Sequence, residues 1–367
     1  MKYRKIGETT VSLLGFGCMR LPQLSDGNID EAASFALWDR ALQQGVTYFD
    51  TAYLYHDGAS ELVLGKWLKT VERSKVQIAT KLPLWDIESR ANAIEIFDEQ
   101  LRKLDTTYID FYLLHAIRKS NWQLIKKFGI LDILKEYQSQ GKIKQLGFSF
   151  HDDFSLFSEV IQAFPWDFCQ IQLNYMDENY QAGAAGCNLA ASLGVPIVIM
   201  EPLKGGLLAS LPTAEYELLA TDETAAKLAF RWLTGQAGIA VILSGMSTLS
   251  QLEENLTTFN ELQALSQQEA DNIKAVVDTL NSKILVPCTS CGYCLPCEFG
   301  VDIPNCFKYL NVGSRYDNFK IARTNYGFNV GDNKASNCRN CGACLAKCPQ
   351  QIPIPERLQL VVEKLED

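Results

Sequence analysis

Four polar side chains of complementary chemistry follow predicted strands. Apolar stretches end on Asp50, Lys81 and His115, and Tyr55 lies in the loop after Asp50. Ligands of α/β proteins bind outside the carboxyl ends of the strands, so these groups are placed for chemistry, although a single strand-terminal polar residue is more often a loop contact. A tyrosine has a free pKa of about 10, and a neighbouring lysine would lower that pKa for proton donation to a carbonyl oxygen. A carboxylate would hold the lysine, and a histidine would orient the carbonyl.

Cysteine is concentrated near the C-terminal end, where nine of the twelve cysteines follow residue 283. Eight of them form two runs with mostly two-residue gaps: Cys288, Cys291, Cys294 and Cys297, then Cys338, Cys341, Cys344 and Cys348. Three thiolates at this spacing wrap three corners of a [4Fe–4S] cube, and the fourth cysteine of each run serves the other cluster. Zinc needs only paired Cys-x2-Cys units and would leave a third cysteine in each run without a purpose. The runs therefore favour two [4Fe–4S] clusters over zinc, and the lack of an export signal disfavours disulfides.

These residues must be positioned by strands and helices that alternate along the chain. A hairpin in residues 2–12 is followed by apolar runs at 13–17, 46–49, 76–81, 109–114, 143–149, 169–173, 196–200 and 240–244, with helical patterns between them. Strands that are apolar throughout indicate a parallel sheet covered on both faces. Such strand–helix units over roughly 250 residues predict a (β/α)8 TIM barrel. We expect a barrel domain at 1–283, ended by a helix at 266–283, and a small, mainly helical ferredoxin-like domain at 284–367.

The barrel residues resemble the aldo-keto reductases. The resemblance covers about residues 1–283 and includes Gly45-Val-Thr-Tyr-Phe-Asp50-Thr-Ala, Asp110-Phe-Tyr-Leu-Leu-His115, Gly147-Phe-Ser149 and Leu228-Ala-Phe-Arg-Trp-Leu233. It implies an oxidoreductase that reduces an aldehyde or ketone, or runs in reverse, with a nicotinamide cofactor. In that reaction Tyr55 is the proton donor, Lys81 activates it, Asp50 orients Lys81 and His115 polarises the substrate. The alternative is a barrel that has kept these residues without the reaction.

The same resemblance implies a set of cofactor contacts. They are Ser149, Gln172 and Tyr175 for nicotinamide, Pro202, Leu203, Gly205 and Leu207 for pyrophosphate, Ser244, Gly245 and Ser247 for phosphate, and Glu254 and Asn255 for adenine. Two positions depart from the family pattern, because Phe150 replaces the usual Asn and Gln251 replaces an Arg that often binds the 2′-phosphate of NADPH. The second departure weakens specificity for NADP, so NAD or a flavin such as FMN is an alternative. Trp85 and Trp122 are expected to be pocket walls or rim packing.

The cysteine segment resembles the helical two-cluster ferredoxin modules. That resemblance assigns one cluster to Cys288, Cys291, Cys294 and Cys348, and the other to Cys338, Cys341, Cys344 and Cys297. The first run ends in Cys-Glu after a two-residue gap, whereas the second ends in Cys-Pro after three. Cys297 is therefore the least secure ligand, and Cys306 is its alternative. The whole chain resembles the iron–sulfur-containing branch of the aldo-keto reductases.

Charge and hydropathy exclude several classes of partner. The net charge of −9 argues against nucleic acid, whose backbone demands clustered Lys and Arg. No window has the length and apolarity of a membrane span, and the first residues lack a signal peptide, so a cytoplasmic protein is expected. The expected partners are a carbonyl or alcohol substrate and an electron-transfer protein. Since nicotinamide passes two electrons and a cluster one, their coupling needs a converter such as flavin. The second hypothesis is an electron-transfer or redox-sensing module whose barrel turns over no carbonyl.

Overall fold

Eight parallel strands close into a barrel in the computed structural model, which describes residues 1–366. An antiparallel hairpin of β1 (Tyr3–Ile6) and β2 (Thr9–Ser12) comes first. The barrel strands are β3 (Leu14–Gly17), β4 (Tyr48–Asp50), β5 (Gln77–Pro83), β6 (Ile109–Ile117), β7 (Ile143–Phe150), β8 (Phe168–Gln172), β9 (Ile197–Met200) and β10 (Ile239–Ser244). Each strand pairs with the next in the chain, and β10 closes the barrel on β3. The predicted (β/α)8 barrel is confirmed.

Helices follow the strands as the alternating pattern predicts. They are α1 (Glu31–Gln43), α2 (Ala59–Leu68), α3 (Arg90–Leu104), α4 (Lys119–Lys127), α5 (Ile130–Ser139), α6 (Phe154–Gln162), α7 (Gly183–Ser192), α8 (Thr213–Glu217), α9 (Ala225–Thr234), α10 (Leu249–Asn260), α11 (Gln267–Ser282), α12 (Ile303–Arg315), α13 (Phe319–Val330) and α14 (Ile354–Val361). Side chains cap several of them, and Asp30 and Ser89 accept backbone N–H bonds at the starts of α1 and α3. Helices α4 and α8 were not predicted.

The hairpin closes the amino end of the barrel. Its residues Ile6 and Val11 are fully buried and pack with Tyr48, Phe111 and Phe168 in the barrel interior. Because these large side chains fill that end, the space for a ligand lies at the carboxyl ends of the strands.

The chain forms two compact units, Met1–Leu208 with Ala226–Ser266, and Ala209–Ala225 with Gln267–Asp367. The core of the second unit is formed by buried residues that include Phe307, Leu310 and Leu358. Helix α11, predicted to end the barrel domain, belongs to this second unit, because its apolar residues and the Lys283–Glu215 ion pair (2.9 Å) lie there. A domain boundary at 283/284 remains a prediction. None of the helices within 1–366 has the length and apolarity needed to cross a membrane.

Candidate functional site

Asp50, Tyr55 and Lys81 meet at the carboxyl end of the barrel. Lys81 is 1% exposed and Asp50 is 2% exposed. Lys81 Nζ donates to Asp50 Oδ1 at 2.6 Å and to the Thr51 carbonyl at 2.6 Å, and it lies 3.4 Å from the Tyr55 hydroxyl. The three N–H donors of the ammonium group are thus directed to a carboxylate, a backbone carbonyl and a phenol hydroxyl. Their directions fix the position of Lys81 beside Tyr55.

Burial and the ion pair act on these groups in opposite directions. Burial of the ammonium group lowers the pKa of Lys81, but Asp50 and Tyr55 outweigh this effect, so the net pKa is raised and Lys81 is charged at neutral pH. Burial raises the pKa of Tyr55, and Lys81 opposes the rise. The lowering predicted from Lys81 is therefore present but is smaller than the effect of burial. Tyr55 keeps its proton at neutral pH.

His115 faces the same space as Tyr55. The centres of the two rings are 6.2 Å apart in an edge-on arrangement, and the centre of the Trp85 ring lies 4.8 Å from that of His115. Burial, with Lys81 and His151 adding to it, holds the pKa of His115 well below its usual value. His115 is therefore a neutral imidazole. Its buried Nδ1 has no hydrogen-bond partner among residues 1–366, so it is a polar group available to a ligand.

The two tryptophans expected near the pocket have different surroundings. Trp85 is 48% exposed and forms an outer wall beside His115. Trp122 is 1% exposed, and its Nε1 donates to Glu159 at 2.6 Å. Trp122 therefore packs inside the protein, and Trp85 is the one that faces the site.

Gln170 and Cys18 border the site and were not predicted from the sequence. Gln170 Nε2 donates to Asp50 Oδ2 at 3.3 Å, opposite the oxygen that binds Lys81. Burial raises the pKa of the Cys18 thiol, Asp50 adds to the rise and Lys81 opposes it, so the thiol is neutral. Strand alternation could have revealed Gln170, because it shares a face of β8 with Gln172. Cys18 gave no comparable signal.

The residues expected to bind nicotinamide are only partly available. Ser149 Oγ accepts the Ala116 N–H at 2.8 Å, and the buried Tyr175 hydroxyl has no partner in the described chain. Gln172 Nε2 instead donates to Asp177 at 2.9 Å. Phe150 is fully buried and packs on Phe148 and Phe157, so it supplies no amide-binding group. This end of the site fits a nicotinamide ring in part.

The residues expected at the phosphates form an open turn. Pro202 and Leu203 form a turn before a short 3-10 segment, Lys204–Ala209, that contains Gly205 and Leu207. Gly205 and Gly206 have φ values of 68° and 97°, a region that L-residues rarely adopt. A Cβ added at Gly245 would lie 3.4 Å from Arg20 Cβ, which is an ordinary van der Waals contact. Backbone groups in such a turn can approach a pyrophosphate directly, so this end fits a dinucleotide.

Hydrogen bonds within the chain occupy several polar groups at the start of α10. Ser247 Oγ donates to the Arg20 carbonyl at 2.7 Å, and Gln251 Oε1 accepts from the backbone N–H groups of Ser247 and Thr248. Asn255 is 5% exposed and donates to Ser244 Oγ at 3.0 Å, whereas Glu254 lies on the exposed side of the helix. The structure thus brings Ser244, Gly245, Ser247, Gln251 and Asn255 together. The Asn255 amide already has a protein partner where an adenine contact was expected.

The cysteines of the second unit surround two hollows. The first hollow is lined by four cysteines, Cys288, Cys291, Cys294 and Cys348. The second is lined by Cys297, Cys338, Cys341 and Cys344, with Cys294 at its edge. Each hollow thus combines three cysteines of one run with the last cysteine of the other. Four thiols around a hollow fit the ligand set of a [4Fe–4S] cube, and this grouping is the crosswise one.

The surroundings of the two hollows differ in charge. The described residues that line the first hollow are uncharged and include Ile303, Phe307 and Ile352. The second is lined by Arg339, Lys347 and Glu298. Cys306, the alternative ligand, lies outside both lining sets, is fully buried and contacts the Tyr326 hydroxyl at 3.8 Å.

Comparison with known proteins agrees with both parts of this description. Residues 13–278 match the model of the aldo/keto reductase family. The chain belongs to the aldo/keto reductase family. Residues 287–352 match the 4Fe-4S dicluster domain, so this aldo/keto reductase carries a ferredoxin-type domain after its barrel. The resemblance noted in the sequence is thereby confirmed.

Named relatives cover different parts of this aldo/keto reductase. L-galactose dehydrogenase of Arabidopsis thaliana is 26% identical over 317 residues, which are 77% of this chain and 96% of the relative. Probable aldo-keto reductase 1 of Glycine max is 35% identical over 147 residues, 38% of this chain and only 41% of the relative. The holo form of aldo-keto reductase AKR11C1 from Bacillus halodurans superposes with a TM-score of 0.64 and 27% identity, covering 75% of this chain and 96% of that one.

Proposed function

We propose that this aldo/keto reductase reduces an aldehyde or ketone, or oxidises the alcohol, with NADPH or NADH, and that its second unit holds two [4Fe–4S] clusters for electron exchange. The observation that carries the proposal is the buried Lys81 ammonium, which contacts both Asp50 and Tyr55. This arrangement is what a proton donor with a positioned cation requires. A bound nicotinamide supplies the hydride, and a bound cluster supplies or accepts single electrons.

Each residue of the site has a task in carbonyl reduction. Tyr55 keeps its proton at neutral pH and gives it from Oη to the carbonyl oxygen, which gains negative charge as hydride arrives. The Lys81 ammonium stabilises the tyrosinate that remains, and Asp50 holds Lys81. Neutral His115 donates a hydrogen bond that orients the carbonyl. In the oxidative direction Tyr55 takes the proton back.

Different residues would hold the parts of each cofactor. Gly205, Gly206 and Gly245 would approach the phosphates of the dinucleotide, while Ser149 and the buried Tyr175 hydroxyl would meet the nicotinamide end. The cysteines Cys288, Cys291, Cys294 and Cys348 would hold one cluster, and Cys338, Cys341, Cys344 and Cys297 the other. An electron-transfer protein would then exchange electrons with the second unit.

The replacement of Tyr55 tests the proposal. We expect Tyr55→Phe to lower carbonyl reduction ~10²–10⁴-fold, because only the proton donor is lost, while nucleotide binding is kept. The measurement is steady-state reduction of a panel of aldehydes and ketones, with nucleotide binding followed by fluorescence. A variant that keeps more than roughly a tenth of the wild-type rate would rule out Tyr55 as the donor.

A second candidate function rests on the residues at the expected nicotinamide position. Phe150 supplies no amide, and Gln172 is bound to Asp177, which favours a barrel that holds a flavin such as FMN or docks a protein partner without turning over a carbonyl. Anaerobic visible spectra with and without NADH or NADPH distinguish the two functions. Flavin absorbance together with absent carbonyl turnover would support the second.

A further inference from the structure

One turn of helix α3 contacts both the strand that carries Lys81 and the loop that carries Tyr55. The Gln100 side chain is fully buried behind β5. Its Nε2 donates to the Lys81 carbonyl at 3.1 Å and to Glu61 Oε1 at 2.7 Å. The Tyr112 hydroxyl donates to Gln100 Oε1 at 2.6 Å, which fixes the orientation of the amide. Gln100 therefore holds the backbone of Lys81 from outside the barrel.

The neighbouring residues of the same helix hold the loop. Tyr53, two residues before Tyr55, donates from its hydroxyl to Glu99 Oε2 at 2.8 Å. The Lys103 ammonium lies 3.9 Å from the centre of the Tyr53 ring and 3.1 Å from Glu99. Glu99 and Lys103 thus fix the ring and the hydroxyl of Tyr53 on α3.

The network is built at a cost in stability. Glu61 is fully buried, and its Oε2 has no hydrogen-bond partner within residues 1–366, with Lys103 Nζ 3.9 Å away. A buried carboxylate that is only partly compensated is destabilising, and apolar packing of similar volume is often as stable or more stable. Glu61 accepts from the same Gln100 amide that donates to the Lys81 carbonyl, and an apolar residue could not hold that amide.

We propose that Gln100 and Tyr53 are positioning residues, which use helix α3 as a common support to fix the spacing between the Tyr55 hydroxyl and the Lys81 ammonium. That spacing is 3.4 Å, the long end of a hydrogen bond, where small displacements change the interaction strongly. The role in catalysis, though not the spacing itself, rests on the proposed function of Tyr55 as proton donor. The titratable and charged groups that act on Tyr55 are Lys81, Asp50 and Cys18, with His115 beside its ring.

Fluorine NMR of protein labelled with 3-fluorotyrosine tests the spacing without any assay of activity. Fluorine lowers the phenol pKa into a range that folded protein tolerates, and the Tyr55 signal is identified by its loss in Tyr55→Phe. We compare wild type with Gln100→Leu and Tyr53→Phe. The matched control is Glu95→Ala, because Glu95 is an exposed glutamate of the same helix.

We expect the titration midpoint of Tyr55 to rise by about half a unit or more in Gln100→Leu and in Tyr53→Phe, because the displaced Lys81 cation then stabilises the ionised Tyr55 less. Glu95→Ala should leave the midpoint unchanged. The kcat for carbonyl reduction should fall about tenfold in the first two variants, with little change in KM. A displacement of a catalytic group by about 1 Å can lower the rate by even more than this. If Gln100→Leu does not fold, Tyr53→Phe, which loses one hydroxyl, carries the test alone.

The outcomes separate this inference from the proposed function. An unchanged midpoint in folded Tyr53→Phe and Gln100→Leu overturns the inference, even if kcat falls. A raised midpoint in a protein that reduces no carbonyl supports the positioning and overturns the function.

Discussion

Gln251 uses its own side chain to close the first turn of α10. Its Oε1 accepts from the N–H groups of Ser247 and Thr248 at 2.8 and 3.2 Å, while Thr248 Oγ1 accepts from the N–H of Gln251 at 3.3 Å. This reciprocal pair is a capping box. A neutral side chain held in this way offers no cation to a 2′-phosphate. We therefore expect a weak preference between NADH and NADPH.

Gln251→Arg should shift the preference toward NADPH by on the order of 1–2 kcal/mol, the scale of a hydrogen bond to a charged group. The measurement is the ratio of kcat/KM for the two nucleotides. Gln251→Ala is the control, because it removes the capping box without adding charge and should leave that ratio unchanged. A wild type already selective for NADPH by roughly a thousandfold, about 4 kcal/mol, would contradict the prediction.

The sequence predicted that Asp50, Lys81 and His115 would lie where strands end. The structure ends β4 at Asp50, whereas β5 and β6 run two residues past Lys81 and His115, to Pro83 and Ile117. The sequence did not predict that burial would outweigh Lys81 in setting the pKa of Tyr55, since burial depends on how distant segments pack. Nor did it predict that Asp177 would engage Gln172. Such a hydrogen bond depends on the conformation of the loop after β8, which residue types alone do not determine.

At the scale of elements, short helices were the hardest to predict. Helix α4 is nine residues long and is separated from α5 by two residues. Its apolar positions, including Trp122 and Ile125, are too few to give a clear helical period, so the sequence does not predict this helix. A long helix shows several turns of that period: the helix predicted at 266–283 is observed at Gln267–Ser282. The spacing within each cysteine run predicted cluster ligands, because that spacing is local, whereas the grouping of cysteines from both runs was implied by the resemblance to two-cluster ferredoxin modules.

The crosswise grouping of the cysteines gives the second unit a distinctive response to mutation. Cys348→Ala should damage the cluster held mainly by Cys288, Cys291 and Cys294, so that iron falls from ~8 to ~4 atoms per chain. It should also loosen the second unit, since clusters are strong cross-links in a small domain. Iron and sulfide analysis with electron paramagnetic resonance is the measurement. The control is Cys306→Ala, which removes a thiol outside both lining sets and should keep all the iron. Zinc in place of iron in the wild type would contradict the prediction of two [4Fe–4S] clusters.

The tryptophans of the whole molecule are confined to one of its two compact units. All six tryptophans lie in the unit made of Met1–Leu208 and Ala226–Ser266. Tryptophan fluorescence therefore reports on the barrel alone, even if the two units unfold separately. Two of the three histidines, His115 and His151, are neutral in that barrel, because burial lowers the pKa of both, that of His151 to about 4.

This burial predicts acid sensitivity of the barrel. Below a pH of about 6.5 the unfolded chain binds protons at these histidines and the folded chain does not, so the free energy of unfolding should fall from about pH 6.5 down through about pH 4. His151→Gln should reduce this loss by on the order of 1–3 kcal/mol. Fluorescence-monitored urea unfolding at two pH values measures it. The control is His56→Gln at a half-buried position, which should reduce the loss less; equal losses in wild type and His151→Gln would contradict the prediction.

The unequal charge around the two hollows predicts the order in which the two clusters would be reduced. Arg339 and Lys347 beside the second hollow outnumber the opposing Glu298, so this lining favours the state of a cluster that carries one more negative charge. The uncharged lining of the first hollow gives no such help. The cluster of the second hollow should thus have the higher reduction potential and fill first. In an EPR-monitored redox titration, Arg339→Gln should lower that potential alone, by about 59 mV for each tenfold change in the reduction equilibrium. Electron transfer from the cluster of the first hollow to that of the second would then be favourable, and the reverse step would be unfavourable.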